Sequence, residues 1–167
     1  GVSCAVQNLA SSLALNGRNV LILDANFRRP SQHKLANISN DRGLVEVLRG
    51  DATIEQVIHK LDGESVSVLP TGNISDAAPE LIETEAFRRM MEELRAQFDV
   101  VLIDAPPTLI TSDAQMLART VDAFAVISRA ETDTRGMIQR MMRQLDGQRA
   151  SLLGVVLNGV RGTHGGY

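Results

Sequence analysis

A chain of 167 residues with 44% hydrophobic and 22% charged residues has the size and balance of one globular domain with a real core, not of a disordered tail, a collagen-like repeat or a small disulfide scaffold. Seventeen basic against twenty acidic residues give a net charge of −3, so there is no global basic field for nucleic acid. The single cysteine, Cys4, excludes an intrachain disulfide and a cysteine zinc cluster, and 3% aromatics without Trp argue against stacking platforms for single strands. His33, His59 and His164 lack metal-ligand spacing. No apolar run is long enough to cross a bilayer, and the first residues do not read as a signal segment. A reducing, cytoplasmic setting fits best.

In chain order, the first expected element is a helix from Ser3 to about Asn16, with Val6, Leu9, Ala10, Leu13 and Ala14 on one face and Gly17 at its stop. Val20 to Asp24 is an apolar run without alternation that ends in a carboxylate, the mark of a strand buried on both faces. Leu44, Val47 and Leu48 suggest one short helical face, and Ile54, Val57, Ile58 and Leu61 another with His59 on its polar side. Val66 to Pro70 reads as a short strand, and Phe87, Met90, Met91 and Leu94 as a helix after Pro79. Val100 to Asp104 is a second apolar run ending in Asp. A helix with Met116 and Leu117, a strand over Ala123–Ile127, a helix with Met137, Met141 and Leu145, and a strand over Leu152–Asn158 complete the order. The methionine stripes read as core packing. Alternating strands and helices predict a doubly wound α/β fold, a mainly parallel five-strand sheet with helices on both faces in a single domain over 1–167.

Ligands in such folds bind at the carboxyl ends of the strands. Asp24 and Asp104 each end an apolar strand there, and magnesium, which takes oxygen ligands and keeps several waters, needs only one or two carboxylates. The simpler alternative is that each Asp caps the turn that follows it. Gly1, Ser3 and Cys4 open the first helix, whose free N–H groups suit phosphate, and the plain alternative there is a Ser-capped helix. Cys4 reads as a small buried side chain, and His33, after Pro30, as a surface residue.

These strings together resemble the cytoplasmic domain of bacterial tyrosine kinases of the capsular and exopolysaccharide co-polymerase family, relatives of the ParA/MinD-type P-loop ATPases. Asn8-Leu9-Ala10 with Leu13-Ala14 is similar to the family's first helix, and Leu21 to Pro30, with its double arginine, to the Walker A′ strand. Gly43 to Gly50, Leu69-Pro70-Thr71-Gly72, and Pro79-Glu80-Leu81 with Phe87 resemble its middle segments. Phe98 to Pro107 is similar to its Walker B strand, and Asp113-Ala114 and Gly154 to Asn158 follow in the family's order. The resemblance covers nearly the whole chain, and the Arg-Arg-Pro and Asp-x-Pro-Pro strings are its most specific parts.

The resemblance implies a three-layer P-loop fold that binds ATP or ADP with Mg2+. Ser3, Asp24 and Asp104 would hold the metal, with Asp24 and Asp104 as the catalytic acids. Gly1, Ser3, Cys4, Arg28, Arg29 and Asn158 would contact the nucleotide, Asn158 at the adenine. Its partner would be a membrane-anchored polysaccharide co-polymerase, fused or separate, at the inner face of the bacterial membrane. A homo-oligomer fits and nucleic acid does not. The departures are Val2 at the place of the P-loop lysine, Cys4 for a hydroxyl, Asn26 for the second Walker A′ aspartate, and a tyrosine tail reduced to Tyr167. The first strand and the front of the P-loop are expected to precede Gly1. The departures imply weak or absent tyrosine autokinase activity. The competing readings are a ParA/MinD-like partitioning or positioning ATPase and an active kinase incomplete only through truncation.

Overall fold

The computed structural model describes residues 1–74, 79–106, 113–130, 132–145 and 150–160. Pro107, His164 and Tyr167 lie outside them. The chain divides into two compact units, Val2–Pro107 and Thr108–Tyr167, with Gly1 grouped with the second.

The larger unit is built on helix α1 (Val2–Leu15), strand β1 (Val20–Asp24), helices α2 (Gln32–Leu35), α3 (Leu44–Arg49) and α4 (Ile54–Val57), strands β2 (His59–Lys60) and β3 (Val66–Leu69), a 3-10 turn over Pro79–Glu83, helix α5 (Glu85–Gln97) and strand β4 (Val100–Asp104). Its sheet runs β2-β3-β1-β4, with β1 parallel to both neighbours and β2 antiparallel at the edge. β1 is central, which explains its unbroken apolar run: every residue from Val20 to Asp24 is fully buried. Helix α1 lays Val6, Ala10, Leu13 and Ala14 on the sheet face formed by Val20, Ile22, Val66, Val68, Val100 and Leu102. Leu9, expected on this face, is 49% exposed, because it lies about a quarter of a turn from the centre of the stripe that meets the sheet. The helix stops where expected, the Gly17 and Arg18 amides closing onto the Ala14 and Leu13 carbonyls. Helix α5 packs on β4 and buries Phe87, Met90, Met91 and Leu94.

The helical face expected over Ile54–Leu61 ends early. Helix α4 stops at Val57, Ile58 turns extended, and His59 and Lys60 pair with Val68 and Ser67. The Leu61 amide donates to the Val66 carbonyl at 2.9 Å, closing a hairpin around Asp62-Gly63, and Gly63 takes φ +75°, which glycine adopts without strain. The Asp-Gly pair was the signal, outweighed by an accidental helical spacing. His59 is therefore a strand residue.

The smaller unit holds helix α6 (Asp113–Ala118), strand β5 (Ala123–Arg129), helix α7 (Arg135–Leu145) and strand β6 (Ser151–Asn158). β5 and β6 pair in parallel, with an irregularity after Phe124. Ala118 and Val126 form a small core with Phe124, Met141 and Met142. Of the five expected strands, β3, β1 and β4 pair in parallel in the larger unit, and β5 and β6 pair in parallel in the smaller. An apolar run signals a strand but not its neighbours. Val100–Ile103 of β4 are only half-buried, and Leu153 of β6 is 75% exposed.

Candidate functional site

Parallel pairing sets the site. β1 and β4 run in register from Val20↔Val100 to Asp24↔Asp104, so the two carboxylates end adjacent strands side by side. Both are buried, Asp24 fully and Asp104 at 1% exposure. Their surroundings differ.

Asp24 organises the loop that follows it. Oδ1 accepts the Asn26 amide at 3.2 Å, and Oδ2 accepts the Ser31 and Gln32 amides at 2.9 Å each. Its own carbonyl accepts the Thr71 hydroxyl at 2.9 Å. Asp24 thus fills the turn-capping role that Asp often takes. Asn26 continues the loop by accepting the Arg29 amide on Oδ1 at 3.1 Å. Arg28 and Arg29 are exposed on that loop.

Two side chains, Gln32 and Ser3, act on the Asp104 carboxyl. Its Oδ2 accepts Gln32 Nε2 at 2.7 Å, while Oδ1 is buried with no hydrogen-bond partner. A buried carboxylate oxygen without a partner is costly and marks a position that a cation or water completes. Burial pushes the Asp104 carboxyl above the ordinary aspartate range. The Ser3 hydroxyl and the Gln32 amide oppose the rise, and the Asp24 charge adds to it. Ser3, in the first turn of α1, accepts the Ser31 hydroxyl at 2.7 Å.

The residues present fit a magnesium ion. Asp104 offers the oxygen Oδ1, and Ser3, whose hydroxyl acts on the same carboxyl, a second hard oxygen donor. Asp24 adds negative charge nearby while its oxygens serve the backbone. Among the described residues no group of three or more His, Cys, Asp or Glu side chains could hold a metal, which excludes a protein-only cage but not a cation that keeps its waters.

The other site residues of the sequence reading lie at the start of α1 and at the end of β6. Gly1 and Val2 are exposed at the start of α1. Cys4, expected to be buried, is exposed, because it lies on the side of α1 opposite Val6 and Ala10. Asn158, in the smaller unit, donates from Nδ2 to the Gly1 carbonyl at 3.3 Å. His33 is half-buried, and its Nδ1 has no partner.

Matching against known proteins decides the family: one described as AAA domain matches residues 1–147. The chain belongs to that family. The tyrosine-protein kinase etk of Escherichia coli K12 is 29% identical over 160 residues, which is 96% of this chain and 22% of etk. The tyrosine-protein kinase YwqD of Bacillus subtilis strain 168 is 29% identical over 95% of this chain and 67% of its own length. The chain therefore spans about a fifth of the longer relatives it matches. Among solved structures, the chimerical protein CapA2B2 superposes with a TM-score of 0.90 at 30% identity, covering 94% of this chain and 70% of that one. The kinase domain of Escherichia coli ETK gives 0.88 at 29% identity, covering 97% and 65%. The fold is the α/β P-loop NTPase type, a mostly parallel sheet flanked by helices.

Three side chains that shape the loops here were not singled out by the sequence. Gln32 links the two aspartates, its amide to Asp24 and its side chain to Asp104. Asn40 grips Gly72 at both polar atoms, at 2.9 and 3.0 Å, while Glu46 accepts the Gly43 and Asn73 amides at 2.7 and 3.2 Å. A Cβ on Gly43 would lie 2.6 Å from the Gly72 nitrogen, so these backbones meet only because both residues are glycine. Gly43 and Asn40 carried a hint of a turn, and Gln32 carried none.

Proposed function

We propose that the chain is the nucleotide-handling part of a bacterial protein-tyrosine kinase that regulates capsule or exopolysaccharide polymerisation and export, with phosphoryl transfer weakened or lost. The observation that carries the magnesium–nucleotide reading is the unpartnered, buried Oδ1 of Asp104, on a carboxyl that the Ser3 hydroxyl also acts on. The names of etk and YwqD, both tyrosine-protein kinases, support the kinase branch over a partitioning ATPase. So does Arg28-Arg29-Pro30.

Magnesium–ATP, when bound, supplies the phosphoryl group and the positive charge that neutralises its oxygens. Ser3 and Asp104 would hold the cation. Asp24 keeps the Asn26–Gln32 loop in place through three backbone amides. Arg28 and Arg29 offer guanidinium groups to phosphate. Val2, at the place the resemblance gives to the P-loop lysine, supplies neither charge nor hydrogen bond, and removing one such stabiliser lowers rates by about 10²–10³. Asn26 brings no negative charge, and its Oδ1 is engaged by the Arg29 amide. The partner we assign is a membrane-anchored polysaccharide co-polymerase at the cytoplasmic face, with self-association of the kinase part.

Calorimetry with ADP, with and without Mg2+, tests this. Weak binding that strengthens with Mg2+ and loses the strengthening in Asp104→Asn is expected, with no phosphate on Tyr167 when ATP is supplied. Binding indifferent to Mg2+ overturns the site. Micromolar affinity with phosphate on Tyr167 overturns the impairment.

A further inference from the structure

We propose that Gln32 is the positioning residue of the cation site: it fixes the Asp104 carboxylate through Oδ2 so that Oδ1 stays open to a divalent cation. The inference rests on the magnesium–nucleotide reading above and adds a residue that reading does not contain.

Gln32 is fully buried, and every polar atom of its side chain is engaged. Nε2 donates to Asp104 Oδ2 at 2.7 Å and to the Ser3 carbonyl at 3.2 Å. Oε1 accepts Gln7 Nε2 at 2.9 Å. This set decides the orientation of the amide. Turned over, Gln32 would set an oxygen against a carboxylate and a carbonyl, neither of which can donate.

The choice of an amide is informative. A lysine or arginine here would also satisfy Asp104, but it would cancel the charge that a divalent cation needs. An amide occupies one oxygen without adding charge and leaves the other anionic and free. Were Asp104 present only for folding, both oxygens would be expected to have partners, as those of Asp24 do.

The backbone ties this group to the arginine loop. The Gln32 amide is anchored on Asp24, as is that of Ser31, whose hydroxyl donates to Ser3. Ser31 and Gln32 therefore set Asp24, Asp104 and Ser3 relative to one another, and Gln7 braces Gln32 from α1.

The test is Mn2+ binding, followed by electron paramagnetic resonance with millimolar ADP, in the wild-type chain and in Gln32→Met. ADP affinity in EDTA and a circular-dichroism melt accompany it. Removing a group that orients a metal ligand typically weakens the metal 10–100-fold. Mn2+ binding about tenfold weaker or more in the variant, with ADP affinity in EDTA unchanged, is the expected result. Equal Mn2+ affinity in both proteins overturns the role of Gln32 and leaves the nucleotide site standing. An equal loss of ADP affinity in EDTA also overturns it, since Gln32 would then be structural. A wild-type chain that binds no Mn2+ with ADP overturns the site itself and Gln32 with it. If Gln32→Met does not fold, Gln7→Met decides, because it removes only the brace on Oε1. Several-fold weaker Mn2+ binding in Gln7→Met supports the role, and none overturns it.

Discussion

Asn19 and Asp99 clasp each other one residue before β1 and β4 begin: the Asn19 amide donates to Asp99 Oδ2 at 2.8 Å, and the Asp99 amide to the Asn19 carbonyl at 3.0 Å. Asn19 also reaches the Gln97 carbonyl at the end of α5. With the pairing set at this end, the in-register ladder delivers Asp24 beside Asp104 at the other. A one-residue slip would separate them and turn the face of every side chain on one strand. Asp99→Ala should lower unfolding stability by about 1 kcal/mol, the usual value of one hydrogen bond. Urea unfolding measures it. Unchanged stability would mean that the apolar strands alone hold the register.

Asp24→Ala should be far more damaging than its position in a cleft suggests. It strips the acceptor from three backbone amides, one of them on fully buried Gln32. Hydrogen bonds to charged groups contribute about 1.5–3 kcal/mol each, so a total loss of about 3 kcal/mol or more is expected from urea unfolding. A loss under about 1 kcal/mol would show that the loop stands without Asp24.

Asp104→Asn should do the opposite to stability while removing Mg2+-dependent nucleotide binding. Burial raises the folded carboxyl above its ordinary value of 3.8. The folded state therefore holds the proton more tightly than the unfolded one, and stability falls as pH rises from about 3.8 through the raised folded value. An amide keeps an acceptor for Gln32 and carries no charge. The variant should unfold at a higher temperature at pH 7 and lose this pH dependence. A lower melting temperature at pH 7 would contradict the account.

Val2→Lys should strengthen Mg·ADP binding by about tenfold, roughly 1.4 kcal/mol. Val2 is exposed at the start of α1, so a lysine there disturbs no core contact. Calorimetry measures the change. No gain would remove Val2 from the explanation of a weakened site.

Glu85 opens α5, and the Arg88 hydrogen bond, followed by that of Arg89, holds its carboxyl down to about 2. The folded value lies below the ordinary 4.5, so the stabilisation is complete above that pH and is lost as pH falls toward 2. All three side chains are exposed, so the effect on global stability should be small. A carbon-detected NMR titration should place the Glu85 midpoint near 2 and return it toward 4.5 in Arg88→Ala with Arg89→Ala. A midpoint near 4.5 in the wild type would show that the pairs do not persist in solution.

The amino-acid order by itself determined β1, β4 and α5, because their signals are local. An unbroken apolar run closed by Asp and a 3.6-residue methionine stripe each contain the reason for their own element. The same order carried the resemblance in Leu21–Pro30 and Phe98–Pro107. It could not show that Asp24 is occupied by backbone amides while Asp104 keeps a free oxygen, since both end the same kind of strand. That asymmetry comes from Gln32, which lies 72 positions from Asp104 and meets it only after β1 and β4 have paired. Nor could it show which strand lies between which neighbours in the larger unit, or that Cys4 turns to solvent. Strand order and the burial of a polar side chain depend on which distant segments pack together, and only the tertiary structure decided those.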